Sequence, residues 1–207
     1  LQRAVVTDFQ LKPAEVFAIH LSNGETLFST SDHRWLGHYK IGKRREWIPT
    51  SKLNDKMVLP KIFRPWESGS TYDWGFLSAA FDGEGYLHLG SNGHALGFVQ
   101  KPNSMLSAVK AMLLQEGFRF TESTHASGCV SLNMLGGLHT IAEFLGRARP
   151  PRLLDNWVKG VESKGLFPIE SPSVLRVESI GVKEIASFSS SSKTYIANGY
   201  LSHNTQW

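Results

Sequence analysis

The rhythm of apolar and polar positions changes twice along the chain. Up to about residue 65 it is short and strand-like. Val16-Phe17-Ala18-Ile19-His20-Leu21 is an apolar-rich run, Asn23-Gly24 is a strong hairpin signal, and Thr26 to Thr30 returns as a second strand. Further strands are expected at Glu46 to Ile48 and Lys56 to Pro60. The turn-rich stretch from Arg64 to Ser70 reads as a linker. Helical spacing follows over 73–82 and 104–116, where Met105, Leu106, Val109, Met112 and Leu113 share one face. Ser104 is the expected N-cap of the second helix and Gly117 its stop. Strand-like runs at 85–91 and 95–101, joined by Asn92-Gly93, are followed by two more at 118–123 and 129–134. Helices at Leu138 to Leu145 and Leu153 to Val161 complete an α-β-β-α-β-β-α order with one extra helix. After a second linker, Gly165 to Ser173, the tail is β again: Val174 to Ile180, Lys183 to Phe188, Thr194 to Ala197 and Tyr200 to Ser202. The simplest architecture is one β domain interrupted by an inserted α+β domain.

Composition narrows this picture only a little. The chain has 207 residues, 41% of them apolar, which suffices for one or two modest cores. It holds no apolar run long enough for a spanning helix, so no membrane partner is expected. Leu1 to Gln10 lack a secretory apolar core, and a lone cysteine, Cys129, excludes a disulfide framework and a cysteine-based zinc site. These features fit a cytoplasmic setting, in a bacterial or phage-infected cell. A net charge of +4 permits nucleic-acid binding without demanding it.

Reactive chemistry concentrates at the end of the chain, in His203-Asn204-Thr205. An Asn side-chain amide can attack its own backbone carbonyl, forming a succinimide and breaking the next peptide bond. A neighbouring His can protonate the leaving amine. A Thr after the Asn supplies a hydroxyl that can take over an acyl group. Adjacency gives such steps a large effective concentration.

The wider segment, Thr194-Tyr195-Ile196-Ala197-Asn198-Gly199 followed after three intervening residues by His203-Asn204, resembles the C-terminal splicing motif of inteins, which excise themselves from a host protein. Thr30-Ser31-Asp32-His33, following Asn23-Gly24-Glu25, resembles the intein Thr-x-x-His motif. The resemblance covers about residues 14–36 and 174–205. It implies the horseshoe-shaped all-β fold called Hint, with Thr30 and His33 hydrogen-bonding the upstream scissile peptide. It also implies that Gln206 and Trp207 are remnants of the host, the C-extein, beginning at Thr205. Splicing so read needs no cofactor.

Three positions depart from the family pattern. An intein begins with a Cys or Ser nucleophile, whereas this chain begins at Leu1 and Cys129 falls in the inserted region. The expectation is a split intein whose short N-terminal partner brings that nucleophile and completes the β core, or a chain from which it was removed. Ser187 stands where many inteins carry Asp. Lys193 stands nearest a frequent His, where it is either an oxyanion donor or a solvated lysine in a serine-rich turn.

Inside the inserted region, Trp74 to Leu87 resembles the LAGLIDADG motif of homing endonucleases. Physically it is a helix with small residues, Ser78, Ala79 and Ala80, that permit close helix approach, ending in Asp82 and Glu84. The same residues also fit a buried amphipathic helix before a Gly-x-Gly turn. The resemblance implies that Glu84 binds Mg2+ and that Asp82 is a further ligand or a brace of the helix end. It implies that His88, Lys101 and Arg119 contact double-stranded DNA, although a charged strand face is also simply solvated. One motif copy implies a homodimer through the helix. The expected layout is a Hint part at 1–66, a LAGLIDADG domain at 67–170, a second Hint part at 171–204 and the extein remnant at 205–207. The competing classes are a stand-alone or decayed LAGLIDADG endonuclease and a DNA-binding module.

Overall fold

The computed structural model describes residues 4–42, 44–67, 69–90, 93–161 and 167–203. These divide into two compact units, one over 66–161 and the other over 4–65 with 167–203. Asn204, Thr205 and the linker residues 162–166 lie outside the described residues. No described helix is long and apolar enough to cross a membrane.

The second unit is made of antiparallel strands. Its first sheet pairs β1 (Val6–Leu21) with β2 (Thr26–Ser29) on one side and β10 (Val174–Ser190) on the other. The Asn23-Gly24 turn joins β1 to β2, with Gly24 at φ +84°, where a side chain would be strained. Two expectations change here. β1 begins well before the apolar run that announced it, because its polar first half pairs with β10. β10 is one strand rather than two: Gly181, at φ +81°, is absorbed as a bulge between the Phe17–Ser179 and Glu15–Val182 pairs instead of closing a turn. From Val6 to Val16, β1 pairs with β10 alone, since β2 reaches only Phe17 to His20. That stretch exposes Val6, Phe9 and Leu11.

The other sheet of this unit has the order β11 (Thr194–Ala197), β12 (Tyr200–His203), β3 (Arg34–Tyr39), β4 (Glu46–Pro49), with β5 (Met57–Val58) also on β3. β3 was hidden in the sequence because Arg34 and His38 interrupt its apolar pattern. The unit's core holds Ile19, Leu27, Trp35, Leu59, Val174 and Tyr200. Residues 167–170 belong with these strands and not with the insert, as 67–170 had implied: Lys61 bridges to Glu170 and its carbonyl accepts from Ile169 N–H at 2.8 Å.

The unit at 66–161 packs α1 (Tyr72–Glu84), α2 (Ser104–Gln115), α3 (Gly137–Ala148) and α4 (Pro151–Val161) with an antiparallel sheet. The sheet runs β6 (Gly85–Leu89), β7 (His94–Gln100), β9 (Val130–Met134), β8 (Phe120–Thr124). Trp74, Leu77 and Phe81 of α1 are buried with Phe98, Phe118 and Phe144. The N-cap of α2 is Asn103 and not Ser104: its side-chain oxygen accepts from Leu106 N–H at 2.9 Å. Gly117, at φ +82°, ends that helix as its position suggested.

Candidate functional site

Pairing between β12 and β3 brings the end of the chain to the Thr30–His33 turn. Ser202 lies opposite Trp35 and His203 opposite Arg34, one residue from His33. Register decides which side chains share a face. Tyr195, Ser202 and Trp35 are successive partners across β11, β12 and β3, so they share one face. The His33 ring joins that face, 4.6 Å from the Trp35 ring and 6.0 Å from Tyr195. His203 takes the opposite face and packs 5.2 Å from Trp47. The two histidines are thus neighbours in the sheet but sit against different aromatic rings.

Burial controls the state of His33. It pushes the imidazole down from 6.5 to about 4; Asp32 pulls the other way, and the His203 charge adds to the depression. The ring is therefore neutral near pH 7. It can exchange hydrogen bonds, but it is not a reservoir of imidazolium. Its Nε2 is buried with no hydrogen-bond partner among the described residues, and the same holds for the fully buried Ser202 hydroxyl. Burial also raises the Tyr195 phenol to about 12.

A residue outside both motifs fixes this turn. Thr50, fully buried, follows β4 in a single 3-10 turn, Thr50–Lys52. Its hydroxyl donates to the His33 carbonyl at 3.1 Å and accepts from the Trp35 indole N–H at 3.1 Å. The Ser29 hydroxyl, 2.8 Å away, is left to donate the third bond, which fills the capacity of the group. The Thr50 N–H adds a second donor to the His33 carbonyl at 2.8 Å, and Ser51 N–H reaches Ser31 O at 2.9 Å. Thr30, half-buried, accepts from His33 N–H through its carbonyl at 3.3 Å.

The strand carrying His203 is fixed at its start. Gly199, at φ +91°, accepts from Ile62 N–H at 2.7 Å, and a Cβ there would meet the Phe63 carbonyl at 1.9 Å. The Tyr200 hydroxyl donates to Glu25 at 2.6 Å, and buried Lys61 pairs with the same carboxylate. Burial favours the protonated form of Glu25, but hydrogen bonds from Lys61, Tyr200 and Asn23 outweigh it and hold the carboxyl below its ordinary value. Lys193 is exposed in the β10–β11 turn at φ +58°. Ser187 pairs with Gln10 in the first sheet.

In the other unit, Asp82 is committed to bracing. Its carboxylate accepts from Arg152 N–H at 2.7 Å, capping α4, while the Arg152 guanidinium reaches the Phe81, Asp82, Gly83 and Gly85 carbonyls. That engagement speaks against Asp82 as a metal ligand. Glu84 is exposed at the end of α1. Among the described residues no group of three or more His, Cys, Asp or Glu side chains gathers in either unit. His88, Lys101 and Arg119 are all exposed, but they are not brought together. Lys101 follows β7 beside the start of β9, whereas Arg119 precedes β8 beside its end.

No family model matches this sequence, and no curated protein matches it. Among solved structures, the chain is similar to the crystal structure of a mutant of the Ssp DnaB mini-intein. The identity is 12%, the match covers 99% of this chain and 70% of that one, and the TM-score is 0.33.

Proposed function

We propose that this chain is a protein-splicing element, the C-terminal portion of an intein that works with a short N-terminal partner. The observation that carries this reading is the β3–β12 pairing. It holds the strand leading into Asn204 against a turn whose half-buried histidine is neutral and carries a buried Nε2 with no partner among the described residues. The partner's Ser or Cys nucleophile first takes the upstream host segment as an ester or thioester. The Thr205 hydroxyl attacks that carbonyl, releasing the partner's nucleophile and forming a new ester. The Asn204 amide nitrogen then attacks its own carbonyl, and the bond to Thr205 breaks as His203 supplies a proton to the leaving amine. The freed Thr205 amine displaces its own ester oxygen, which joins the two host segments by a peptide bond.

The test is a mass measurement. Incubated with a short fragment bearing a Ser or Cys nucleophile, the chain loses residues 205–207 and any fused passenger. Asn204→Ala retains residues 205–207, because the succinimide cannot form. An unchanged wild-type mass under these conditions argues for the endonuclease or DNA-binding classes instead.

A nested endonuclease is the second reading, favoured by one feature of α1. Exposed Glu84 ends a helix on which Gly75 and Gly83 face open space, leaving room for the same helix of a second copy. Among the described residues of a single chain no magnesium site gathers, because Asp82 is engaged and no group of acidic side chains forms at Glu84. Glu84 of both copies would hold the ion, which supplies Lewis-acid chemistry for phosphodiester cleavage. Magnesium-dependent cutting of an intein-less host gene, lost in Glu84→Gln, supports this reading, and the absence of cutting removes it.

A further inference from the structure

Lys61 is buried on the strap that follows β5, and its ammonium pairs with the half-buried Glu25 carboxylate. The Tyr200 hydroxyl donates to that carboxylate at 2.6 Å and the Asn23 amide at 3.1 Å; the same amide donates to Glu170 at 3.0 Å. Four stretches distant in sequence thus meet around Glu25: the β1–β2 turn, residue 61, residue 170 and the first residue of β12. Stability alone does not call for this. A lysine and a glutamate drawn out of water gain little net energy from each other, and apolar residues of similar volume hold such a place as well or better. What the charged pair adds is a defined position, and β12 needs one. The Asn198-Gly199 turn fixes β12 against β11 over four residue pairs, but β12 meets β3 in only two, Ser202 with Trp35 and His203 with Arg34. A slip of one residue along β3 would carry His203 off the Trp47 side and onto the Trp35 side. The buried Tyr200 ring packs edge-on against Trp35 with centres 6.5 Å apart, and a ring in an apolar pocket can slide where a bonded hydroxyl cannot.

We infer that Glu25, held by Lys61, is a positioning residue for cleavage after Asn204: by accepting from the Tyr200 hydroxyl it sets the register of the β11–β12 hairpin on β3, and with it the side of the sheet from which His203 acts. Tyr200 opens the four-residue strand that His203 closes, so the effect travels along β12. The main chain ties the hairpin to the strap, with Ile62 N–H donating to the Gly199 carbonyl at 2.7 Å. The Glu25 carboxylate ties both of them to the turn of the first sheet. For its chemistry the inference rests on the splicing reading; the register is a property of the chain by itself. The upstream step, in which the partner's nucleophile takes the host segment, does not pass through His203. Loss of the cluster therefore separates the two steps, whereas general loosening of the fold slows both.

Two variants test this. The double substitution Lys61→Met with Glu25→Leu makes the pair apolar, so no charge is left buried alone; Tyr200→Phe removes one hydroxyl. Register is read on the isolated chain by NMR, as the nuclear Overhauser contact between the His203 and Trp47 rings. Rates are read by mass with a short partner fragment bearing Cys: loss of residues 205–207 reports cleavage after Asn204, and release of the upstream segment by hydroxylamine reports the first step. The double variant melts within about 3 °C of the wild type. It loses the ring contact and slows cleavage after Asn204 by about tenfold or more, with the first step changed by less than about twofold. Tyr200→Phe slows the same cleavage by about threefold and, should the double variant fail to fold, carries the same comparison of the two steps. An intact ring contact in a folded double variant overturns the inference, and so does equal slowing of both steps in either variant. A wild-type chain that keeps residues 205–207 with the partner, while the double variant still loses the ring contact, sinks the splicing reading and supports the register.

Discussion

The end of α1 and the β12–β3 junction use their polar groups in opposite ways, although the unit at 66–161 also buries one atom with no partner among the described residues, Nδ1 of His94. In the unit at 66–161, Asp82 and Arg152 satisfy each other's helix ends, so the acidic end of α1 is structurally closed apart from exposed Glu84. In the β unit the polar groups divide. Thr50, Glu25 and Lys61 are fully engaged in holding strands and turns, while His33 Nε2 and Ser202 Oγ, at the meeting of those strands, are buried and unpaired. Native interiors rarely leave such atoms alone, and where they do, a bound water or ion, local strain or a catalytic role accounts for it. A motif that folds into a self-satisfied brace therefore says less about chemistry than a motif whose atoms are still waiting for a partner. The splicing reading stands on built geometry, whereas the endonuclease reading stands on one exposed carboxylate and an uncovered helix face.

The largest effect that breaks this contrast is in the brace. Arg152→Ala strips a charged donor from four carbonyls and destabilises the unit at 66–161 by about 3 kcal/mol. Native-state hydrogen exchange should show the loss there, with protection in β3 and β12 unchanged; equal loss in both would mean that the two units are not energetically separate. Acid acts on the other unit. The folded-state pKa of His33, about 4, lies below its ordinary 6.5, so the unfolded chain binds the proton first. The associated stability is complete above pH 6.5 and is lost as pH falls toward 4, by at most about 3 kcal/mol. Denaturant melts at pH 7 and pH 4.5 measure it, and His33→Phe should flatten the difference.

Thr50→Val is expected to cost about 2 kcal/mol and to let the His33 titration drift upward toward 6.5, while Thr50→Ser restores both. An NMR titration reads the second effect, which loss of packing alone would not produce. At the small end, Glu84→Gln should change stability by less than about 0.5 kcal/mol, because the side chain is exposed. A larger loss would show that Glu84 belongs to the brace and has no spare capacity for an ion.

Local chemistry announced what local chemistry decides. The Asn23-Gly24 turn, the helix over Ser104–Gln115 with its stop at Gly117, and the tail strands around Asn198-Gly199 are set within a few residues and were legible. What escaped is set by partners far along the chain. The polar half of β1 is a strand because β10 lies beside it, and Gly181 bends β10 without ending it because β1 continues past the bulge. In the site, Thr30, His33 and His203 could be named from their motifs. Thr50 could not, since nothing in Pro49-Thr50-Ser51 marks it and its role exists only through Ser29, His33 and Trp35. Ser202 is unmarked in the tail motif, since its burial opposite Trp35 depends on a strand pairing that no short window contains.

The half-paired ribbon formed by the first part of β1 has a practical side. From Val6 to Val16 one rim of backbone amides and carbonyls has no neighbouring strand among the described residues, and Phe9 and Leu11 lie exposed along it. Such a rim templates whatever extended chain arrives first, including another copy of itself. Purified alone at high concentration, this protein should self-associate edge to edge, and a lysine in place of Leu11 should keep it in solution.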